Sequence, residues 1–135
     1  MRKTGLAIEE YIHGLLKGKV VVSGGVYRNG TRPFDSNVED VVVSFLTGRD
    51  SLDGFSQSGV VNVNAYVPMR NFGEPLLVKD VKRCEELEEA ISQLVDAHRT
   101  GDFLLVLDGT PTTFSEEGFS VVNVRVKYKY NKLTE

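Results

Sequence analysis

Acids are the commonest residues in this chain that could do chemistry. Asp35, Glu39, Asp40, Asp50 and Asp53 crowd one stretch, and Asp108 follows an apolar run further on. Carboxylates at this density can hold a divalent ion that activates water for phosphodiester cleavage. On that reading Asp40, Asp53 and Asp108 serve a small metal-dependent nuclease, beside a basic strand near the end of the chain. Their spacing matches no metal-binding loop, and the competing reading is solvated loop charge. Asp108-Gly109 also reads as a tight turn. The two histidines, His13 and His98, have no Cys or His at ligand spacing. The single cysteine, Cys84, falls in a helical pattern without a histidine partner and reads as core filler. "SGG" at 23–25 lacks the Gly-Lys-Ser/Thr ending of a phosphate loop and reads as a turn or bulge. The residues therefore nominate no catalytic, metal or cofactor-binding set, and the expectation is a protein that is not an enzyme and carries no cofactor.

Recognition is the chemistry the sequence states more clearly. In "SVVNVRVKYKY", 120–130, Val122, Val124, Val126, Tyr128 and Tyr130 alternate with Asn123, Arg125, Lys127 and Lys129. A strand with this pattern has one apolar and one basic face. Arg125, Lys127 and Lys129 read either as solvated charge that protects an edge strand or as the lining of a basic channel or interface. Phe55, Met69, Phe72 and Phe114, with Arg70, stand in polar stretches expected to be loops. Apolar side chains placed there either pack back on their own domain or anchor protein–protein contacts.

These residues need elements to hold them. Positions 6–16 have helical periodicity, with Thr4 as N-cap and Gly18 as stop. Val20–Val22 and Val26-Tyr27 read as short extended pieces around Gly24 and Gly25. A loop follows at 28–37, with Asn29-Gly30 as a turn. Strands at 40–47 and 60–67 flank a polar loop at 48–58 and read as a hairpin. After an irregular segment at 68–75, positions 80–99 form the strongest helical stripe, with Asp80 as cap and Gly101 as end. An apolar strand at 102–107, a turn-rich loop at 108–118 and the two-faced strand at 119–130 complete the order. It predicts a single α+β domain over 1–135, with a mainly antiparallel sheet of about four to five strands and two helices packed on one side.

Composition agrees with one packed core. The 135 residues are 41% hydrophobic and 26% charged, with a net charge of −3 and a pI near 5.4. That balance argues against a general nucleic-acid binder but not against a local basic patch. One cysteine allows no internal disulfide, which favours an intracellular or assembly protein. No run reaches the ~18 apolar residues of a membrane span. Glu9 and Glu10 interrupt any signal-peptide core, so the chain is expected to remain in the compartment where it is made.

"IEEYIHGLLKG", then "GGVYRNGTRPFDSNVEDVVV" and "GVVNVNAYVP", followed by a long helix and a final hairpin, resembles the small phage and prophage proteins of the tail-terminator, tail-completion or head–tail joining type. The resemblance covers most of the chain as element order. At residue level it rests on Gly25-Val26-Tyr27, Arg32-Pro33 and Glu39-Asp40-Val41-Val42-Val43. The loop at 68–75 departs from the usual pattern and leaves the position in the neck open among connector, stopper and terminator. The family implies a structural protein without an active site, assembled in the bacterial cytoplasm into the virion neck. Its copies form a ring, often a hexamer, that joins the tail tube to the head connector. In such a ring Arg125, Lys127 and Lys129 would line the lumen, in passing contact with DNA, or meet a neighbour. The alternatives are the nuclease above and a generic binding module for a peptide or small ligand.

Overall fold

The computed structural model describes residues 3–73 and 75–131. Thr4 opens helix α1 (Gly5–Leu16), its hydroxyl accepting from Ala7 N. This satisfies one of the amides that a helix start leaves unpaired. Strands β1 (Val26–Arg28), β2 (Asp40–Asp50) and β3 (Ser56–Pro68) follow. Helix α2 (Val81–Val95) is capped by Asp80, which accepts from Arg83 N. Strands β4 (His98–Thr100), β5 (Phe103–Leu107), β6 (Thr112–Glu116) and β7 (Phe119–Asn131) complete the chain.

The seven strands form one mixed sheet in the order β1-β2-β3-β7-β5-β4, and β6 also pairs with β7. Only β1–β2 is parallel among the described pairings. The core lies on one face. There Val41 and Val43 of β2, Val61, Val63, Ala65 and Val67 of β3, and Val122, Val124, Val126, Tyr128 and Tyr130 of β7 meet both helices. Ile8, Ile12 and Leu16 of α1 and Cys84, Leu87, Ile91 and Val95 of α2 close the other side. Residues of β-branched type at every second position pack well on a pleated surface, so the two long strands take the centre. Arg83 ties α2 to the lead into β2: its Nε donates to Glu39 at 2.7 Å and its Nη2 to the Val21 carbonyl at 2.7 Å.

The α+β class and the single helical layer agree with the sequence reading. The sheet does not: it has seven strands rather than four to five, and one pair is parallel. The expected loop at 48–58 shrinks to a turn, because β2 runs to Asp50 and β3 starts at Ser56. The expected loop at 108–118 contains β6, which joins β7 through Glu117 and Gly118, both at positive φ. The helix expected to reach 99 ends at Val95. Ala97 adopts a φ of 54°, and His98 belongs to β4, where its Nε2 lies 3.0 Å from the Tyr11 hydroxyl. Val20–Val22 forms no strand, and only Val20 of the three is buried.

Candidate functional site

The face of the sheet opposite the helices can be read row by row, because cross-strand partners place their side chains on the same side. Arg49 of β2 aligns with Ser58, Lys129 and Leu104. The next row is Thr47, Val60, Lys127 and Val106. Then come Ser44, Asn62 and Arg125, with Asp108 beyond, its Oδ2 3.3 Å from Arg125 Nε. Val42, Asn64, Asn123 and Thr112 follow, and Asn123 Nδ2 donates to Asn64 Oδ1 at 2.7 Å. The last of these rows is Asp40, Tyr66, Val121 and Phe114.

Arg32 covers that last row. Its guanidinium lies 4.0 Å from the Tyr66 ring centroid and 4.9 Å from that of Phe119. Its Nε donates to Asp40 Oδ2 at 2.9 Å. Ser36 Oγ donates to the same oxygen, and Gly25 N donates to Oδ1 at 3.0 Å. Asp40 is fully buried, and these donors supply what a buried carboxylate requires. The loop between β1 and β2 is thereby pinned over one end of the face.

The other end stays open and basic. Arg49, Lys127 and Lys129 have no carboxylate within ion-pair distance among the described residues, and Arg125 pairs with Asp108 alone. Beside them Ser56, Ser58, Leu104, Val106, Lys127 and Lys129 border a groove of about 400 Å³. Because β7 lies between β3 and β5, Arg125, Lys127 and Lys129 protect no edge, contrary to one of the expectations above. They point outward from the centre of the sheet.

The expected contact residues divide between the two ends of the sheet. Met69, Arg70 and Phe72 lie in an arm between β3 and α2, tied down by a bridge between Arg70 and Val78 and by Met69 N, which donates to the Gly118 carbonyl at 2.9 Å. Arg70 also faces Asp80 at 3.8 Å and the Phe72 ring at 5.5 Å. Phe55 lies at the β2–β3 turn, at the far end. Phe114 is in β6 rather than a loop, exposed on the helix-free face. Sequence reasoning missed the arm's strongest feature: Leu76, Leu77, Val78 and Val81 are all exposed, Leu76 at 74%. "PLLV" just before a helix looks like the start of its buried stripe, and only the fold reveals that it has nothing to pack on. Phe34 and Leu52 are fully exposed as well. Arg49 was missed because Gly48 reads as the end of a strand.

The acids do not gather. Asp40 is locked under Arg32 at one end of the sheet. Asp53 sits at the opposite end in the β2–β3 turn, where hydrogen bonds from Ser51 and Phe55 N lower its pKa. Asp108 faces Arg125. Among the described residues no three His, Cys, Asp or Glu side chains are placed to hold a metal ion. No described helix is long and apolar enough to cross a membrane. No protein-family model matches the chain, and no curated protein is significantly similar to it.

Proposed function

We propose that the chain is a structural subunit whose copies assemble into a ring, in the manner of the phage tail-terminator proteins it resembles, joining a tail tube to a head connector in the virion neck. The observation that carries this reading is the exposed apolar arm. Phe72, Leu76, Leu77, Val78 and Val81 stand exposed within one short segment. Large apolar side chains left exposed this densely mark a contact surface. The exposed Leu52 and Phe55 lie at the opposite end of the sheet. Apolar contacts at two different places suit a head-to-tail arrangement, which closes into a ring when the rotation between copies allows.

The test is solution mass by light scattering across a concentration series, for the wild type and for Leu76→Asp/Leu77→Asp. The expected result is one discrete oligomer for the wild type and a folded monomer for the variant, with unchanged circular dichroism. A wild-type chain that stays monomeric, both alone and with a tail-tube protein, overturns the reading.

A further inference from the structure

We propose that the open half of the helix-free face binds the phosphodiester backbone of a nucleic acid, without regard to base sequence, through Arg49, Lys127 and Lys129. Three features of the face lead there.

Charge is the first. The chain carries a net charge of −3, yet these three cations collect on one half of one face with no carboxylate at ion-pair distance among the described residues, Asp53 of the nearby turn acting on Lys129 only from further off. Arg49 and Lys129 share a row, with Ser58 between them, and Lys127 stands in the next row. Like charges at such positions repel one another, and an anion that bridges them removes that repulsion while gaining attraction from each.

Spacing is the second. Arg125, Lys127 and Lys129 recur at every second residue of a strand, a repeat of about 6.7 Å. Successive phosphates along an extended strand of nucleic acid have a similar separation. An extended acidic peptide binds a sheet by pairing its backbone with a free strand edge, and Lys127 and Lys129 stand on β7, which is paired on both sides, so the nucleic acid is favoured. Asp108 withdraws Arg125 from the set by pairing with it, which leaves Arg49, Lys127 and Lys129 as the free contacts.

The neighbours are the third. Ser56, Ser58, Thr47 and Asn62 surround the cations and can donate to non-bridging phosphate oxygens. Leu104 and Val106 line the adjoining groove of about 400 Å³, where sugar or base edges can rest. Contacts from lysine and serine side chains to phosphate carry no base information, so little sequence preference is expected.

This inference needs a single copy of the chain and does not rest on the ring. The experiment is fluorescence anisotropy with labelled single-stranded and duplex oligonucleotides of mixed sequence, titrated with the full chain at several salt concentrations. Binding is expected at low salt, with a log–log slope of about −2 to −3 for three neutralised phosphates. Lys127→Glu/Lys129→Glu is expected to weaken it at least tenfold. Lys17→Glu/Lys82→Glu makes the same change in net charge on the helical side and is expected to leave affinity within about twofold. Whichever nucleic acid binds more tightly identifies the form recognised. No binding at low salt, equal losses in the two double variants, or equally strong binding of labelled polyglutamate each overturns the proposal. Solution mass recorded on the same samples keeps the result separate from that of the ring.

Discussion

Tyr128 reaches across two strands. Gly59 is its partner in β3 and Gly48 the next in β2, all on the core face. A Cβ at Gly48 would lie 2.1 Å from the Tyr128 hydroxyl oxygen, and one at Gly59 would lie 1.9 Å from the Thr47 carbonyl oxygen. Gly48 is therefore the space into which the Tyr128 ring fits, while Gly59 lets the β2 backbone approach closely. Gly48→Ala is expected to destabilise the fold by about 1–3 kcal/mol through overpacking, read by urea denaturation. Tyr128→Phe is expected to behave differently. Its hydroxyl is buried without a hydrogen-bond partner among the described residues, so removing it should cost less than about 0.5 kcal/mol or stabilise. Burial also raises the pKa of Tyr128 above the ordinary 10.0, and that of Tyr66, where Glu116 adds to the rise. The folded state thus keeps these protons after the unfolded chain has begun to lose them. The associated stability is complete below about pH 10 and falls as pH rises through the two raised values. Alkaline unfolding followed by circular dichroism, in the wild type and in Tyr128→Phe, measures the share of Tyr128.

Among the elements, the loop that Arg32 pins is the most exacting. A charge stacked between Tyr66 and Phe119 while bonding Asp40 must be planar and permanently ionised, which suits arginine better than lysine. Arg32→Ala leaves Asp40 buried with its ion-pair partner gone and should cost about 3–5 kcal/mol in urea denaturation. Arg32→Lys should keep part of that, losing the stacking. Cys84, on the buried stripe of α2, has its thiol pKa raised by burial. It is expected to react with a thiol reagent only as fast as the helix opens, so the native rate should rise steeply with denaturant.

The sequence made the strands visible where valines alternate, because burial on one face forces that pattern. It hid their lengths where packing space or turn chemistry replaces valine, as at Gly48, Gly59 and Thr112–Glu116. The parallel pairing of β1 was not legible, since Gly25-Val26-Tyr27 carries no mark of its partner. The helical stripe overshot because His98 continues the 3.6-residue spacing while Ala97 turns the backbone away. Lys127 and Lys129 were legible as a basic face. Their position in the centre of the sheet was not, because it depends on β5 and β6 lying in succession along the same side of β7.

Seen whole, the molecule carries its helices on one face, Arg49, Lys127 and Lys129 on the other, and the apolar arm and the β2–β3 turn at the two ends of the strands. The arm variants that test assembly should leave thermal stability nearly unchanged, since Leu76 and Leu77 touch little of the core. A large loss of melting temperature in Leu76→Asp/Leu77→Asp, measured by calorimetry, would assign these residues to the fold instead of to a partner.

The position of β7 bears on how the protein is made. Translation delivers β2 and β3 early and β7 much later, yet β7 lies in the middle of the sheet. Pro68 must wait for Phe119 and Ser56 for Asn131, so each rung between β3 and β7 closes a long loop. Until then Val61, Val63 and Ala65 have a hairpin partner on one side only, and neither helix has a finished surface to rest on. A chain truncated before Phe119 should therefore be protease-sensitive, while the full chain should resist digestion. The folding decision of the whole domain falls to β7, which completes the sheet from its middle.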